Sequence, residues 1–231
     1  MKKILAIILC LAFSAGMVQL VNSDRPLSQT AHYFLENAIN DTNSPNVISA
    51  IMFDYRGFDT FLEIMVLFAV SAGIAAMFAK VDFPLSSQGL DPVIKTLVNW
   101  HLPFIFVFSF YLPFYGRMSP GGGFQGGVML ASTTILVSVV YGIGHKRGLL
   151  SQRIEHALEV CGSLGFILIG ASSIIFGANF LSNQIAGYNM GITGNIFSSG
   201  TILWLDLASG LHVAGSLGYI FYVMLKSRFE K

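Results

Sequence analysis

Six long apolar runs follow one another along the chain, separated by polar or proline- and glycine-containing segments. A bilayer core about 30 Å thick is crossed by a helix of about 20 mostly apolar residues. The pattern therefore predicts an all-α integral membrane protein with about six transmembrane helices. The predicted spans are Ile4–Val21, Phe61–Ala79, Leu97–Tyr115, Phe124–Ile143, Ala157–Gly177 and Thr201–Leu225.

The first run also has features of a signal peptide. Lys2 and Lys3 precede it, and Ala12-Phe13-Ser14 offers weak cleavage signals. The apolar run continues to Val21, beyond the usual length of a signal-peptide core, and this favours a retained helix. Cleavage is the alternative, and it would leave the other five spans in place.

Basic side chains concentrate on one side of the predicted spans. Because Lys and Arg accumulate in cytoplasmic loops, this asymmetry predicts that both termini are cytoplasmic. The cytoplasmic set is Lys2, Lys3, Lys80, Lys95, Lys146, Arg147, Arg153, Lys226, Arg228 and Lys231, and the external set is Arg25, Arg56 and Arg117.

The composition excludes several classes of protein. Of 231 residues, 54% are hydrophobic and 11% charged, whereas soluble domains have about 25% charged residues. The formal net charge of +1 argues against a nucleic-acid partner. Cys10 and Cys161 lie in apolar runs, which favours small apolar fillers over a disulfide or a zinc site. We therefore expect a multi-pass protein of the inner (plasma) membrane, surrounded by lipid.

The segments between the spans divide the chain into two units. Residues 1–80 hold two spans, a proline-containing cytoplasmic linker follows at 81–92, and residues 93–231 hold four spans. The external segment before the second span includes Ala31–Ile39, which is expected to form a short surface helix. The external segment Ala178–Gly200 carries no charge.

Ionisable groups inside lipid are costly and are therefore functional candidates. Glu63 lies inside the second span, and Asp59 precedes it by four residues on the same helical face. Two carboxylates so placed are able to bind a cation or pass a proton. The alternative is structural: Asp59 caps the helix start, and Glu63 bonds to the backbone of a neighbouring subunit.

The other ionisable candidates also have structural alternatives. In the sixth span, Asp206 would favour the positive end of its own helix, and His212 would bond to a neighbouring helix as a neutral side chain. His212 has a pKa near physiological pH when unperturbed, so a proton relay stays open. His101 in the third span is expected to contact protein or lipid. Glu155 and Glu159 are expected to complement a helix dipole, with proton entry as the alternative.

Small residues recur at every fourth position in two of the predicted spans. Gly123, Gly127 and Ala131 form a smooth stripe on the fourth span, and Gly210, Ala214 and Gly218 form one on the sixth. Such stripes let helix backbones approach closely, so we expect dense packing within the chain and against partner chains. The chain has no phosphate loop, catalytic triad or metal-ligand spacing, so it is not expected to be an enzyme acting alone or to hold a metal.

Two long motifs resemble one family of membrane complexes. Residues 44–51 (SPNVISAI), followed by Asp54-Tyr55-Arg56-Gly57-Phe58-Asp59-Thr60 and Glu63, resemble the module at the carboxyl end of the large Mrp antiporter subunit, also found as the E subunit of membrane-bound hydrogenases. The segment from Pro113 through Ser119-Pro120-Gly121-Gly122-Gly123-Phe124-Gln125-Gly126-Gly127 resembles the MnhB domain, the B subunit of multisubunit sodium/proton antiporters.

The resemblance implies a fusion of the two modules in an accessory subunit of an Mrp-type antiporter. Other Mrp-type subunits, including large antiporter-like ones, would be its partners, and the transported Na⁺ and H⁺ would be its only ligands, with no cofactor. The acidic positions of the first motif fall on Asp59 and Glu63, which strengthens Glu63 as an ion ligand or proton carrier. The alternatives are the membrane arm of a hydrogenase or ferredoxin-linked ion pump, and a purely structural assembly subunit.

Overall fold

The structure is a computed structural model that describes residues 2–21, 26–78, 90–142 and 151–228. These residues form eight α-helices and one π-helical segment, and no strand occurs among them. The helices are α1 (Lys2–Val21), α2 (Gln29–Thr42), α3 (Val47–Ala50), α4 (Gly57–Phe78), α5 (Pro92–Tyr115), α6 (Gly123–Tyr141), α7 (Gln152–Ile175) and α8 (Ile202–Arg228), with the π-helical segment at Ile51–Tyr55 between α3 and α4.

The chain divides into two compact units, residues 1–35 and 36–231. The first unit holds α1 and the beginning of α2. The second holds the rest of α2 and all the later helices. The expected surface helix at Ala31–Ile39 lies inside the longer α2.

Within the described ranges, five helices are long and apolar enough to cross a membrane: α4, α5, α6, α7 and Ile202–Met224 of α8. The prediction of an all-α membrane fold is therefore confirmed. Helix α1 contains the shorter apolar stretch Ile7–Val18. The sixth span and the cytoplasmic placement of both termini stay predictions.

Three helices begin four or five residues before the apolar runs that predicted them, at Gly57, Pro92 and Gln152. In each case the first turn contains polar residues or proline, which an apolar count leaves out. At α5 the Asp91 carboxylate accepts a hydrogen bond from the backbone N–H of Val93 at 2.9 Å, which caps the helix start. Of the predicted linker 81–92, residues 81–89 lie outside the described residues.

Helix α8 is the most deeply buried helix of the second unit. Helices α6 and α7 pack along it, α4 makes a smaller contact with it, and α5 packs mainly on α6. One apolar cluster at this junction includes Phe53, Ile64, Phe166 and Leu205. Because α8 contacts several other helices, its polar side chains Asp206, His212 and Ser216 are fully buried.

The small-residue stripes of α6 and α8 face each other at two levels. A Cβ atom at Gly123 would lie 2.0 Å from the carbonyl oxygen of Asp206, and one at Gly127 would lie 2.6 Å from that of Gly210. Ala131 and Ala214 are buried as well. At the far end of the α8 stripe, Gly218 packs against the Glu155 carboxylate of α7. The α8 stripe therefore serves contacts within the chain, to α6 and to α7.

The uncharged segment between α7 and α8 is held by hydrogen bonds. The side-chain amide of Asn183 donates to the carbonyl oxygen of Ser199 at 3.0 Å, and its oxygen accepts from the backbone N–H of Thr201 at 3.0 Å. The Ser199 hydroxyl donates to the carbonyl oxygen of Asn43 at 2.8 Å. These bonds tie the segment to the residues that follow α2.

Crowding the contact between α6 and α8 is expected to destabilise the protein. Gly127→Ala places a methyl group against the Gly210 carbonyl, and such overpacking costs about 1–3 kcal/mol. Gly165→Ala is the matched control, because a Cβ there would lie 3.6 Å from the nearest atom, the Cβ of Ala208. The measurement is the thermal midpoint of the solubilised protein. Equal midpoints for the two variants would show that α6 and α8 do not need this close approach.

Candidate functional site

The two sequence motifs meet at the same end of the helices. Ser44, Asn46 and Ser49 of the first motif donate hydrogen bonds to the backbone carbonyl oxygens of residues 116, 117 and 119 in the second. The Asn46 side chain also caps α3 by accepting from the backbone N–H of Ile48 at 3.1 Å. These bonds fix the start of α4 to the junction between α5 and α6.

The π-helical segment sets the register of the first motif. The backbone N–H of Arg56 bonds to the carbonyl oxygen of Ile51 at 2.7 Å, which closes the wider turn. The Thr60 hydroxyl donates to the Met52 carbonyl oxygen at 2.6 Å. Gly57 is buried and packs against the Leu181 side chain, whereas Phe58 is exposed.

Asp54 is a partly buried carboxylate outside the spans. Burial raises the pKa of its carboxyl group from 3.8 to about 6, and the negative charge of Asp41 acts in the same direction. A hydrogen bond from the backbone N–H of Asn183 opposes the increase. Tyr55, the next residue, donates from its hydroxyl to the Asp41 carboxylate at 2.6 Å. Asp54 is thus a weaker acid than an exposed aspartate.

Arg117 is a fully buried cation between α5 and α6. Its guanidinium donates to the carbonyl oxygens of Phe114 at 2.8 Å, Asn195 at 3.3 Å and Ile196. Its Nε has no hydrogen-bond partner among the described residues. Burial lowers the pKa of the guanidinium, and the negative charge of Asp206 opposes that change.

Asp206 stabilises the start of a neighbouring helix rather than the start of its own. Its Oδ1 accepts a hydrogen bond from the backbone N–H of Gly123, the first residue of α6, at 2.8 Å. Gly122, the N-cap, has a φ of 146°, a conformation that side chains rarely adopt. Asp206 Oδ2 has no hydrogen-bond partner within the described part of the chain.

The rest of the glycine-rich motif lies at the same junction. Pro120 is exposed, and a Cβ at Gly121 would lie 2.9 Å from the Leu112 carbonyl oxygen. The backbone N–H of Gly122 donates to that same carbonyl oxygen at 3.2 Å. This glycine-rich segment therefore folds back tightly on the end of α5.

Glu63 and Asp59 lie on the outer surface of the chain. Asp59 forms an ion pair with Arg56, and at least half of each of these side chains is exposed. Glu63 is exposed as well, although it lies six residues inside α4, about 9 Å along the helix. The two carboxylates are thus on an open face of a candidate span.

Glu159 and His212 meet in the interior, together with two serines. Glu159 accepts hydrogen bonds from the hydroxyls of Ser71 on α4 and Ser216 on α8, the latter at 2.9 Å. His156 Nδ1 lies 3.2 Å from the other Glu159 oxygen. His212 Nδ1 lies 3.1 Å from the backbone oxygen of Glu159. The side chains of Glu159 and Glu155 are both buried, and the helix-dipole role expected for them stays a prediction.

The remaining ionisable candidate stays on the surface. His101 is exposed, and its Nδ1 bonds to the Leu97 carbonyl oxygen of its own helix at 2.8 Å. Cys10 and Cys161 are free. Among the described residues, no group of three or more His, Cys, Asp or Glu side chains is placed to hold a metal ion.

Sequence reasoning missed Arg117 and the burial of Glu159. From the sequence, Arg117 was identified only as an external basic residue. Its position between Pro113 and Ser119 of the second motif could have indicated a structural role. Glu159 lies one turn from the start of an apolar run, and a hydropathy pattern does not show which face of a helix is covered.

The helices able to cross a membrane, together with the polar groups buried between them, define a multi-pass membrane protein. Residues 93–219 match the domain related to the MnhB subunit of Na⁺/H⁺ antiporters, and residues 1–88 match the E subunit of MBH. The chain belongs to the MnhB-related family, and the expected resemblance is confirmed.

Relatives of two kinds resemble the chain. The B subunit of the Na(+)/H(+) antiporter of Bacillus subtilis (strain 168) is 32% identical over 126 residues, covering 54% of this chain and 86% of that protein. The A/B subunit of a probable K(+)/H(+) antiporter of Rhizobium meliloti (strain 1021) is 26% identical over 237 residues. That match covers 88% of this chain but 23% of the Rhizobium protein, so the chain corresponds to about a quarter of it.

A solved structure extends the likeness to nearly the whole chain. A chain of the membrane-bound sulfane sulfur reductase, an archaeal respiratory membrane complex, superposes with a TM-score of 0.77 and 28% identity. The match covers 97% of this chain and 98% of that one.

Removing the Asp206 carboxylate is expected to loosen the start of α6. Asp206→Ala loses a charged hydrogen bond to Gly123, a contribution of about 1.5–3 kcal/mol. Asp206→Asn keeps an oxygen acceptor but removes the charge beside Arg117, so an intermediate loss is expected. The measurement is the thermal midpoint of the solubilised protein. If the thermal midpoint fell as far in Asp206→Asn as in Asp206→Ala, the charge of Asp206 rather than its hydrogen bond to Gly123 would be the main stabilising contribution.

Asp54 is expected to make stability depend on pH. The folded state holds this proton more tightly than the unfolded chain, so stability is highest at low pH and falls as the pH rises from 3.8 to about 6. Asp54→Asn is expected to remove this step and to be at least as stable as the wild type at neutral pH. Thermal midpoints across this pH range test it, with exposed Glu36→Gln as the control that keeps the step. An unchanged step in Asp54→Asn would assign the titration to another group.

Proposed function

We propose that this chain is an accessory subunit of a multisubunit Mrp-type cation/proton antiporter. In it, Glu63 carries Na⁺ or H⁺ through the half of the membrane where α4 begins. The observation that carries the proposal is an exposed carboxylate within a membrane-spanning helix.

The exposure of Glu63 is the physical reason for proposing that it binds an ion or a proton. A carboxylate facing lipid is costly, so ionisable groups within spans face other protein or water. Glu63 faces away from the rest of its own chain. A neighbouring subunit or a hydrated path must therefore cover it in the assembled complex, and either surrounding suits an ion ligand.

Asp59 and Arg56 act as the entrance to this position. Arg56 directly precedes α4 and Asp59 lies in its first turn, about one turn before Glu63, and both side chains are exposed. An approaching cation competes with the Arg56 guanidinium for the Asp59 carboxylate. When no cation is bound, the Arg56 guanidinium neutralises the Asp59 carboxylate.

The relatives support the parent complex. One comes from a sodium/proton antiporter, and the other is an A/B subunit that matches most of this chain. By this proposal the chain has no cofactor and performs no catalysis, its ligands are the transported Na⁺ and H⁺, and its partners are other Mrp-type subunits, including large antiporter-like ones.

A second candidate function has its own observation. The sulfane sulfur reductase chain matches this one over almost its full length, so the membrane arm of a redox-driven ion pump is also supported. Purification of the tagged chain in mild detergent, with mass spectrometry of what is retained, separates the two functions. Iron–sulfur partners would favour the redox complex, and antiporter-like subunits alone would favour the exchanger.

Glu63→Gln is expected to reduce sodium-driven proton exchange by the assembled complex about tenfold or more, because the amide neither binds a proton nor neutralises a cation. The measurement is exchange in membrane vesicles at matched amounts of complex. Glu63→Asp should restore part of the rate, and exposed Glu36→Gln should keep the full rate. Full exchange by an assembled Glu63→Gln complex would refute the role and leave the alternative of a purely structural subunit.

A further inference from the structure

We propose that Glu159, Ser216 and His212 form a buried proton relay between α4, α7 and α8, which a proton enters at His156. The relay lies in the half of the bundle where α7 begins, whereas Glu63 lies near the start of α4. Its part in exchange depends on the proposed function, but its ability to bind and move a proton does not.

The relay begins at a side chain on the surface of the chain. His156 lies in the first turns of α7, and its side chain is 54% exposed, whereas that of Glu159 is 1% exposed. The 3.2 Å between His156 Nδ1 and Glu159 Oε2 is a hydrogen-bonding distance. His156 thus connects the surface of the helix bundle to a buried carboxylate in one step.

The buried Glu159 carboxylate accepts hydrogen bonds from uncharged side chains. Ser71 and Ser216 both donate to Glu159 Oε1. No lysine or arginine within the described ranges forms an ion pair with Glu159, and its ion-pair partner there is the histidine, which is charged only when protonated. A carboxylate buried without a permanent counter-charge is one whose protonation depends on its neighbours.

The hydrogen-bond geometry fixes the tautomer of His212. The Glu159 backbone oxygen only accepts, so the hydrogen of neutral His212 lies on Nδ1, 3.1 Å from that oxygen. The lone pair of Nε2 then faces the Ser216 hydroxyl at 3.4 Å. Ser216 lies between a proton donor, the protonated Glu159, and a proton acceptor, His212.

Each proton transfer along this chain balances. Protonated His156 gives its Nδ1 proton to Glu159 Oε2, and rotation of the resulting carboxylic acid group turns its O–H towards Ser216. Once Glu159 is protonated, the Ser216 hydroxyl no longer donates to it; the hydroxyl accepts from Glu159 and turns its own hydrogen towards His212 Nε2. Glu159 then gives its proton to Ser216 Oγ while the Ser216 hydroxyl proton passes to His212 Nε2. The result is neutral His156, ionised Glu159 and protonated His212, with one proton moved inward.

Three helices contribute further ionisable or aromatic side chains near the cluster. From α7, Glu155 is buried with its carboxylate against Gly218. From α8, the Tyr219 ring lies 5.4 Å from that of His156. From α4, the Phe68 ring lies 6.4 Å from that of His212, and Ser71 is the polar contact. Glu155 is the nearby acid that a proton-binding measurement has to separate from Glu159.

Close helix approach is what allows the relay. A Cβ at Gly162 would lie 2.3 Å from the backbone nitrogen of His212, so α7 and α8 touch there without side chains between them. This contact brings His212 within reach of the Glu159 backbone. The side chains of His212 and Ser216 are fully buried, so their hydrogen bonds are protected from water.

The first test measures proton binding directly in the purified complex. Infrared difference spectra recorded across a pH step should show carboxylic-acid C=O bands, of which Glu159→Gln removes one and Glu155→Gln removes another. An unchanged set of bands in Glu159→Gln would overturn the proposal, because Glu159 would then take up no proton. This readout does not require that the complex exchange cations.

The second test separates the relay from a structural role. Ser216→Ala should keep the infrared band of Glu159 but slow proton exchange in vesicles about tenfold or more, because it breaks the connection to His212. Ser163→Ala is the matched control, since this buried serine of α7 bonds to the Val160 carbonyl of its own helix. Equal exchange by assembled Ser216→Ala and Ser163→Ala complexes would overturn the relay, even if Glu159→Gln failed to assemble. Loss of one band in Glu159→Gln with full exchange in Glu63→Gln would reject only the role of Glu63.

Discussion

The close approach of three helices to α8 is the constraint on which the rest of the structure depends. In lipid, polar groups of a helix have to be satisfied by protein, and α8 carries Asp206, His212 and Ser216 in its interior. Glycines at the contacts with α6 and α7 remove the side chains that would hold the backbones apart. Asp206 thereby reaches the start of α6, and His212 reaches the backbone of α7. Without these contacts the same side chains would be unpaired in an apolar surrounding.

Hydrogen bonds also join the two motifs to each other. The first motif supplies hydroxyl and amide donors to the carbonyl oxygens that follow α5, and the second supplies the tight glycine turn that exposes those oxygens. Arg117 lies at this junction with its guanidinium satisfied mainly by backbone oxygens of the segment between α7 and α8. Three parts of the sequence that lie far apart therefore share one polar junction.

The sequence allowed the fold class to be predicted because membrane spans depend on local apolar length. It also allowed the small-residue stripes to be found, since their four-residue spacing follows from helix geometry. Helix starts were less accurate where first turns contain Asp59, Pro92 or Glu155. The burial of Glu159 and Arg117 was not predictable, because it depends on which distant segment covers each side chain. The role of Asp206 was not predictable for the same reason. Its position in the sequence suggested that it stabilises the start of its own helix, whereas in the fold its carboxylate accepts a hydrogen bond from the first residue of α6.

Burial and exposure divide the acidic residues of the spans into two functional kinds. Glu159 has its hydrogen-bond partners inside the chain, so its protonation can be set by this chain's own residues. Glu63 is exposed on α4, and its surroundings are set by the protein or water that covers it. The outer surface of α5 carries Phe104, Val107 and Phe108 and suits lipid. Because a carboxylate tolerates lipid poorly, the proposed function requires the neighbouring subunit on the Glu63 side of α4 rather than on this aromatic surface. The two ends of an exchange path would then differ. The end at Glu159 is formed within this chain, and the end at Glu63 is formed only where this chain meets a neighbouring subunit.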